Sequence, residues 1–304
     1  MPLDQAAAAF IENAANKPAK PLSETSVAEM RESVEALIPL GFEREDVHAV
    51  DDWAVDGVAV RSYVPGLQPL GNVVYLHGGS FTRCGLHTHD TLYRRFANRS
   101  GCTVVAVDYS LAPEETYPRQ LDEIAEVVDA VARASPGAKL FIAGESSGGC
   151  LAAATTLRMR DGGPSGLDGL VLLLPVLDRD SATESRRTLA KDYLLTGEQM
   201  DWMFEQYAPD ADNDDPLVFP FRATDLRGFP PTVVVTAEFD PLRDEGHAFA
   251  ERIREAGGQA EDVCVPGIIH HAPLVPKRIP AGARVIDDAG DLLRKLASCS
   301  EVVR

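Results

Sequence analysis

At 304 residues and 45% hydrophobic content, the chain can bury a substantial core, as one large α/β domain with a small accessory layer, which excludes a disordered or fibrous protein. Its formal net charge of −18 repels a phosphate backbone over most of the surface, which excludes nucleic acid and anionic membrane as main partners and leaves solubility as what the charge serves. No stretch reaches the roughly 18 unbroken apolar residues of a membrane span, since even Leu170 to Leu177 contains Pro175 and stops at Asp178.

At the N-terminus, Asp4 stands where a signal peptide would carry Lys or Arg, and the alanine run breaks at Glu12. No export signal is expected, and the protein is placed in the cytoplasm. Residues 1–44 read mainly as helix: Val27, Met30, Val34 and Leu37 fall near helical spacing, with Ser26 as N-cap. The period then changes. Val47 to Val55 and Val58 to Val64 alternate loosely about Asp56-Gly57, the signal of an antiparallel hairpin. Short β-branched runs predict further strands at Val73 to Leu76, Thr103 to Val107, Leu140 to Ala143, Leu170 to Leu174, Thr232 to Thr236 and Asp262 to Val265. Amphipathic patterns between them predict helices at Thr88 to Asn98, Leu121 to Arg133, Gly149 to Arg160, Asp244 to Glu255 and Arg284 to Leu296.

This alternation predicts an α/β fold with a mostly parallel eight-stranded sheet and helices on both faces. The interval 179–228, with an amphipathic segment at Met200 to Tyr207, is too long for an ordinary crossover. Together with residues 1–44 it is expected to form a helical cap over the carboxyl ends of the strands, leaving 45–304 as the catalytic domain that carries this insertion. Cys84, Cys102, Cys150, Cys264 and Cys299 are odd in number and scattered, so reduced thiols are expected rather than disulfides or a zinc site.

The pentapeptide Gly144-Glu145-Ser146-Ser147-Gly148 lies between a predicted strand and a predicted helix, the context of a nucleophile elbow. The central residue of such a turn is held in strained backbone geometry, and glycines two positions either side remove Cβ atoms that would clash. Ser146 is therefore the expected nucleophile. Ser147 is disfavoured because its frame puts Glu145 where the elbow needs glycine. A serine hydroxyl requires a base to take its proton and a buried carboxylate to orient that base. Asp240 closes the strand that begins at Thr232, and His270 follows the last predicted strand, completing the order Ser, Asp, His. His77-Gly78-Gly79-Ser80-Phe81 ends another strand and corresponds to an oxyanion motif. Gly79 and Ser80 would donate two backbone N–H groups and Ser147 a third, with His77 and Gly78 supporting the loop.

These motifs resemble the bacterial hormone-sensitive-lipase-like family of α/β-hydrolases, the capped carboxylesterases. The resemblance runs from about Ser62 to Asp288 and includes His77-Gly78-Gly79, Thr88-His89-Asp90, Asp108-Tyr109, Leu111-Ala112-Pro113-Glu114, the elbow, Asp240-Pro241-Leu242-Arg243-Asp244 and Gly267-x-x-His270. It implies a serine esterase acting on a small-molecule ester of short or medium acyl chain, with no metal or organic cofactor; a homodimer is compatible with it. The chain departs from the family at Ser80 for the third oxyanion glycine, at Glu145 and Ser147 for Asp and Ala, at Ser110 for Arg, and at His271-Ala272 for Gly-Phe.

Rival assignments exist at several positions. His271 competes with His270 as base, and Asp244 with Asp240, although Asp244 suits the N-terminus of the next helix. His87 and His89 are spaced like a metal pair but lack a ligand cluster, which favours loop structure. Trp202, Met203, Phe204 and Tyr207 fit either an acyl pocket or a helix packing on the core. Cys150 reads as a buried small hydrophobe. An amidase, lactonase or deacetylase acting on a natural product would use the same triad. A small-ligand receptor on a retired hydrolase scaffold is the third reading, opposed by the intact Ser146, Asp240 and His270.

Overall fold

The β-branched runs pair into one sheet, and those at its centre are too apolar to face water on either side. β1 (Ala49–Val55) and β2 (Val58–Val64) form the expected hairpin. Its turn residues, Asp56 and Gly57, have φ of 46° and 91°, the two positive values a tight hairpin turn requires. β3 (Asn72–Leu76), β4 (Thr103–Asp108), β5 (Leu140–Glu145), β6 (Gly169–Leu173), β7 (Thr232–Phe239) and β8 (Ala260–Ile269) complete an eight-stranded sheet in the order β1-β2-β4-β3-β5-β6-β7-β8. The hairpin joins antiparallel through β2 and β4, and every pair from β4 to β8 is parallel. The computed structural model describes residues 1–16, 20–162 and 166–299.

Val73, Val74, Tyr75 and Leu76 are all fully buried, as a parallel strand covered on both faces demands. On one face lie α4 (Arg119–Ala134), α5 (Ser147–Asp161) and α8 (Arg243–Glu255), whose Leu121, Leu151 and Phe249 share one apolar cluster. On the other lie α3 (Asp90–Ser100) and α9 (Ala283–Ser298), contributing Tyr93, Phe96 and Leu293 to a second.

Two strand ends differ from the sequence reading. β6 ends at Leu173, one residue short of the expected Leu174, which takes φ 48° and turns the chain out of the strand. β8 instead runs on past the expected end at Val265, through Pro266-Gly267 to Ile269, by a bulge against β7. There Gly267 takes φ 75° and donates its N–H to Glu238 at 2.7 Å.

In the first 44 residues, α1 (Gln5–Ala15) is capped by Asp4, and α2 (Val27–Glu35) by a Ser26–Glu29 capping box. Arg31 on α2 donates Nε to Thr82 O at 2.8 Å and meets both Glu114 oxygens at 2.7 Å, which ties α2 to the loop after β3. In the long interval, α6 (Glu184–Leu189) precedes α7 (Gly197–Tyr207). α7 is fastened to the same loop by Tyr207, whose ring stacks on Phe81 at 4.1 Å. Among the described residues, no helix is long and apolar enough to cross a membrane.

Candidate active site

β5 delivers Ser146 into a turn that only close backbone packing can hold. Ser146 has φ 53° and ψ −119°, a conformation that costs a non-glycine residue about 1–3 kcal/mol. Its N–H donates to Leu173 O at 2.9 Å, and its carbonyl accepts from Cys150 and Val176, each at 3.2 Å. The flanking glycines serve the packing of strand on helix more than the serine itself. A Cβ on Gly144 would stand 2.2 Å from Gly148 O, and one on Gly148 would stand 2.1 Å from Leu76 O.

The side chains that the sequence sets far apart converge here. His270, just beyond β8, places Nε2 3.0 Å from Ser146 Oγ, and its Nδ1 lies 2.7 Å from Asp240 Oδ2. Asp240 follows β7, is fully buried, and takes the Leu242 N–H on its other oxygen at 2.9 Å. A carboxylate cannot donate, so the Nδ1 contact is an N–H bond to Asp240 and leaves Nε2 free to accept from the serine.

The neighbouring rivals point elsewhere. His271 is half-buried beside the His270 ring, and its pKa is lowered to about 3, first by desolvation and then by the charges of His270 and Arg83. Asp244 sits in the first turn of α8 and accepts the Ser185 N–H at 2.7 Å. Cys150 is buried in α5, its thiol 3.4 Å from Val218 O.

The loop after β3 is bent through three positive φ values, 123° at Gly79, 55° at Ser80 and 62° at Phe81. A Cβ on Gly79 would fall 2.2 Å from Arg83 O, so glycine is required there. His77 stacks on Tyr109 at 4.4 Å, its Nδ1 bonds to Gly78 O at 2.7 Å, and Tyr109 donates its hydroxyl to His77 O at 2.7 Å. Burial, and then the proximity of His89, lower the His77 pKa to about 4, so this ring braces the loop as a neutral group. The Ser147 N–H opens α5, where no preceding helical turn can accept it.

Glu145 is the residue whose role the sequence did not disclose. Its carboxylate accepts the Gly78 N–H at 2.7 Å, bonds the Tyr75 hydroxyl, and lies 2.8 Å from His89 Nε2. Burial works to raise its pKa, but the His89 ring, the Tyr75 hydroxyl and the Gly78 N–H outweigh it and hold the carboxyl below its usual 4.5. A charged acid thus joins the elbow to the loop after β3. His89 is used in this junction, and His87 lies 2.6 Å from Glu35 on α2, so the two histidines spaced like a metal pair face different partners.

Glu145→Gln is expected to lower kcat about tenfold, because losing the carboxylate slackens the loop after β3, where oxyanion donors are expected. It should also alter the acid side of stability. A folded-state pKa below the unfolded value stabilises the fold above that unfolded value, and the contribution is lost as pH falls through the folded pKa. Unfolding measured against pH should therefore show a shallower acid loss in the variant. Unchanged kcat with an unchanged acid profile would rule the junction out.

Ser146, His270 and His271 open into a cavity of about 260 Å³ under α2 and α7. Leu37, Leu92, Met203 and Ile286 make part of its wall apolar, while Ser80, Arg83 and Gln199 make another part polar. Of the aromatic α7 stretch only Met203 reaches this wall. Phe204 and Tyr207 are buried in the core against Phe219 and Phe81.

A family profile described as alpha/beta hydrolase fold matches residues 73–274. The chain is a member of the hormone-sensitive-lipase-like α/β-hydrolases. This α/β-hydrolase is 36% identical over 246 residues to the carboxylic ester hydrolase LipN of Mycobacterium tuberculosis, covering 74% of this chain and 64% of that one. It is 33% identical to an arylesterase of Saccharolobus solfataricus over 80% of this chain and 83% of that one. The hyperthermophilic esterase of the archaeon Pyrobaculum calidifontis superposes with a TM-score of 0.90 at 31% identity, covering 98% of this chain and 100% of that one.

Proposed function

We propose that this α/β-hydrolase is a serine carboxylesterase that cleaves small esters of short or medium acyl chain through an acyl-enzyme. The observation that carries the reading is the unbroken contact from Ser146 Oγ through His270 to Asp240, at 3.0 and 2.7 Å. His270 takes the Ser146 proton as Oγ attacks the acyl carbon. Asp240 keeps the imidazole oriented and stabilises the imidazolium that forms. The carbonyl oxygen, becoming negative, is held by the N–H groups of Gly79, Ser80 and Ser147; Gly78 is excluded because Glu145 occupies its N–H. His270 then returns the proton to the leaving alcohol and activates a water that releases the acid. The bounded cavity and its leucine wall favour a small substrate.

In this reading residues 1–44 and 179–228 act as a cap, a role supported by the side chains that each contributes to the cavity wall. The five unpaired cysteines favour a reducing compartment, the cytoplasm. A complete proton relay also weighs against a receptor that has given up catalysis. A fluorophosphonate probe should label the wild type once per chain and fail to label Ser146→Ala. Labelling that persists in the variant would move the nucleophile elsewhere, and no labelling of the folded wild type would defeat the enzyme reading.

A further inference from the structure

The oxyanion loop carries a cation that none of the protein's described acids answers. Arg83 donates Nη2 to Ser80 Oγ at 3.2 Å. Among the described residues its Nε and Nη1 make no hydrogen bond, and no carboxylate lies within ion-pair distance. The other arginines fixed near the cavity or its cap each meet an acid, as Arg31 does Glu114, Arg186 does Glu245 and Arg243 does Asp244. Arg44, Arg133, Arg187, Arg278 and Arg294 also lack an acid partner but stand exposed to solvent, where none is needed, and the half-buried Arg252 gives its guanidinium to the carbonyls of Phe221 and Ala223.

Arg83 is different because of where it is held. With Ser80 and Gln199 it lines both the Ser146 cavity and an adjoining groove of about 350 Å³ that reaches Lys20 and Trp202. It therefore stands at the passage between the reacting serine and the outside. Burial pulls its pKa below the ordinary arginine value, yet a guanidinium keeps its charge in a protein. Arg83 is half-buried, so holding its cation there without a counter-charge costs part of its desolvation, which a bound anion would offset. Glu198 lines the outer groove without pairing to Arg83, and Lys20 is held by Glu29 at 2.6 Å. A second polar atom of the inner cavity is also unanswered: His271, which lines it, has a buried Nδ1 with no hydrogen-bond partner. The chain as a whole, at −18, repels anions, so a local cation here serves recognition at short range rather than attraction from afar.

We infer that Arg83 is a specificity residue and that the ester taken carries a free carboxylate, which the guanidinium binds at the cavity mouth while Ser146 attacks the ester carbonyl. The inference rests on the carboxylesterase reading. A half-ester of a short dicarboxylic acid has this form, and so does an ester of a carboxylated alcohol.

Three probes separate these cases: phenyl valerate, monophenyl glutarate with the carboxylate on the acyl side, and 4-carboxyphenyl valerate with it on the alcohol side. For wild type, kcat/KM should be about tenfold or more higher for one anionic ester than for phenyl valerate. Arg83→Met should lower that ratio about 10- to 100-fold, the usual loss for a charge-assisted hydrogen bond. Arg83→Lys should fall between, and added NaCl should erode the wild-type ratio. If Arg83→Met does not fold, the lysine variant and the salt series on wild type still decide. A ratio below one for both anionic esters, or one unmoved by substitution and salt, overturns the inference while cleavage of phenyl valerate keeps the esterase reading intact. Failure of wild type to cleave any of the three defeats both.

Discussion

Replacing His270 with Ala is expected to lower kcat on a p-nitrophenyl butyrate assay by about 10⁴- to 10⁶-fold, and His271→Ala by about tenfold at most. The two rings are adjacent in sequence and both line the cavity, so only geometry separates them. His270 Nε2 lies 3.0 Å from Ser146 Oγ with Asp240 behind it. His271 has no such backing carboxylate, and burial has lowered its pKa to about 3, which makes its ring a weak acceptor for a serine proton at neutral pH. Asp240→Asn tests the same relay from the far end. An amide can present its NH₂ to Nδ1, which selects the tautomer with the proton on Nε2 and removes the base, at about 10⁴-fold in kcat. Purified variants with unchanged thermal unfolding would be compared at saturating ester. If His271→Ala collapses the rate while His270→Ala keeps a tenth or more, the base has been assigned to the wrong ring.

Much of this site was legible in the sequence because its parts sit at strand ends. Each of Ser146, Asp240 and His270 follows a β-branched run, and parallel strands bring their carboxyl ends to one edge of the sheet. The hairpin turn at Asp56-Gly57 and the Ser26 cap were equally local signals, resolved within a few residues. What stayed hidden depends on partners from distant segments. Glu145 could be seen only as a departure from the family pattern, since its meaning lies in Tyr75, Gly78 and His89 around it. Arg83 is the one Lys or Arg between His77 and His89, a signal available in the sequence, but the lack of an acid beside it is a property of the folded site. The end of β8 at Ile269, four residues past the expected Val265, was misjudged because a bulge at Gly267 carries the strand on through Pro266.

Gly148→Ala is expected to destabilise the fold by more than about 4 kcal/mol, the range reached when a new atom has no space and no flexible neighbour. The added Cβ would lie 2.1 Å from Leu76 O and 2.5 Å from His77 O. Both are backbone atoms at the end of β3, where no rotamer change can make room. Relief requires α5 to withdraw from the sheet or β3 to shift. Either movement separates Ser146, at the head of α5, from the loop that begins at His77. Activity per folded molecule should therefore fall along with stability, a coupling that a remote core defect would not produce. Gly197→Ala provides the comparison, because a Cβ there meets nothing within 4 Å and should change stability by no more than about 0.5 kcal/mol. Thermal unfolding together with the fluorophosphonate labelling rate of the folded fraction would measure both effects. A Gly148→Ala protein that unfolds within about 1 kcal/mol of wild type and labels at the same rate would show that β3 and α5 can separate without cost. The glycine spacing of the elbow would then need a cause other than the contact of helix with strand.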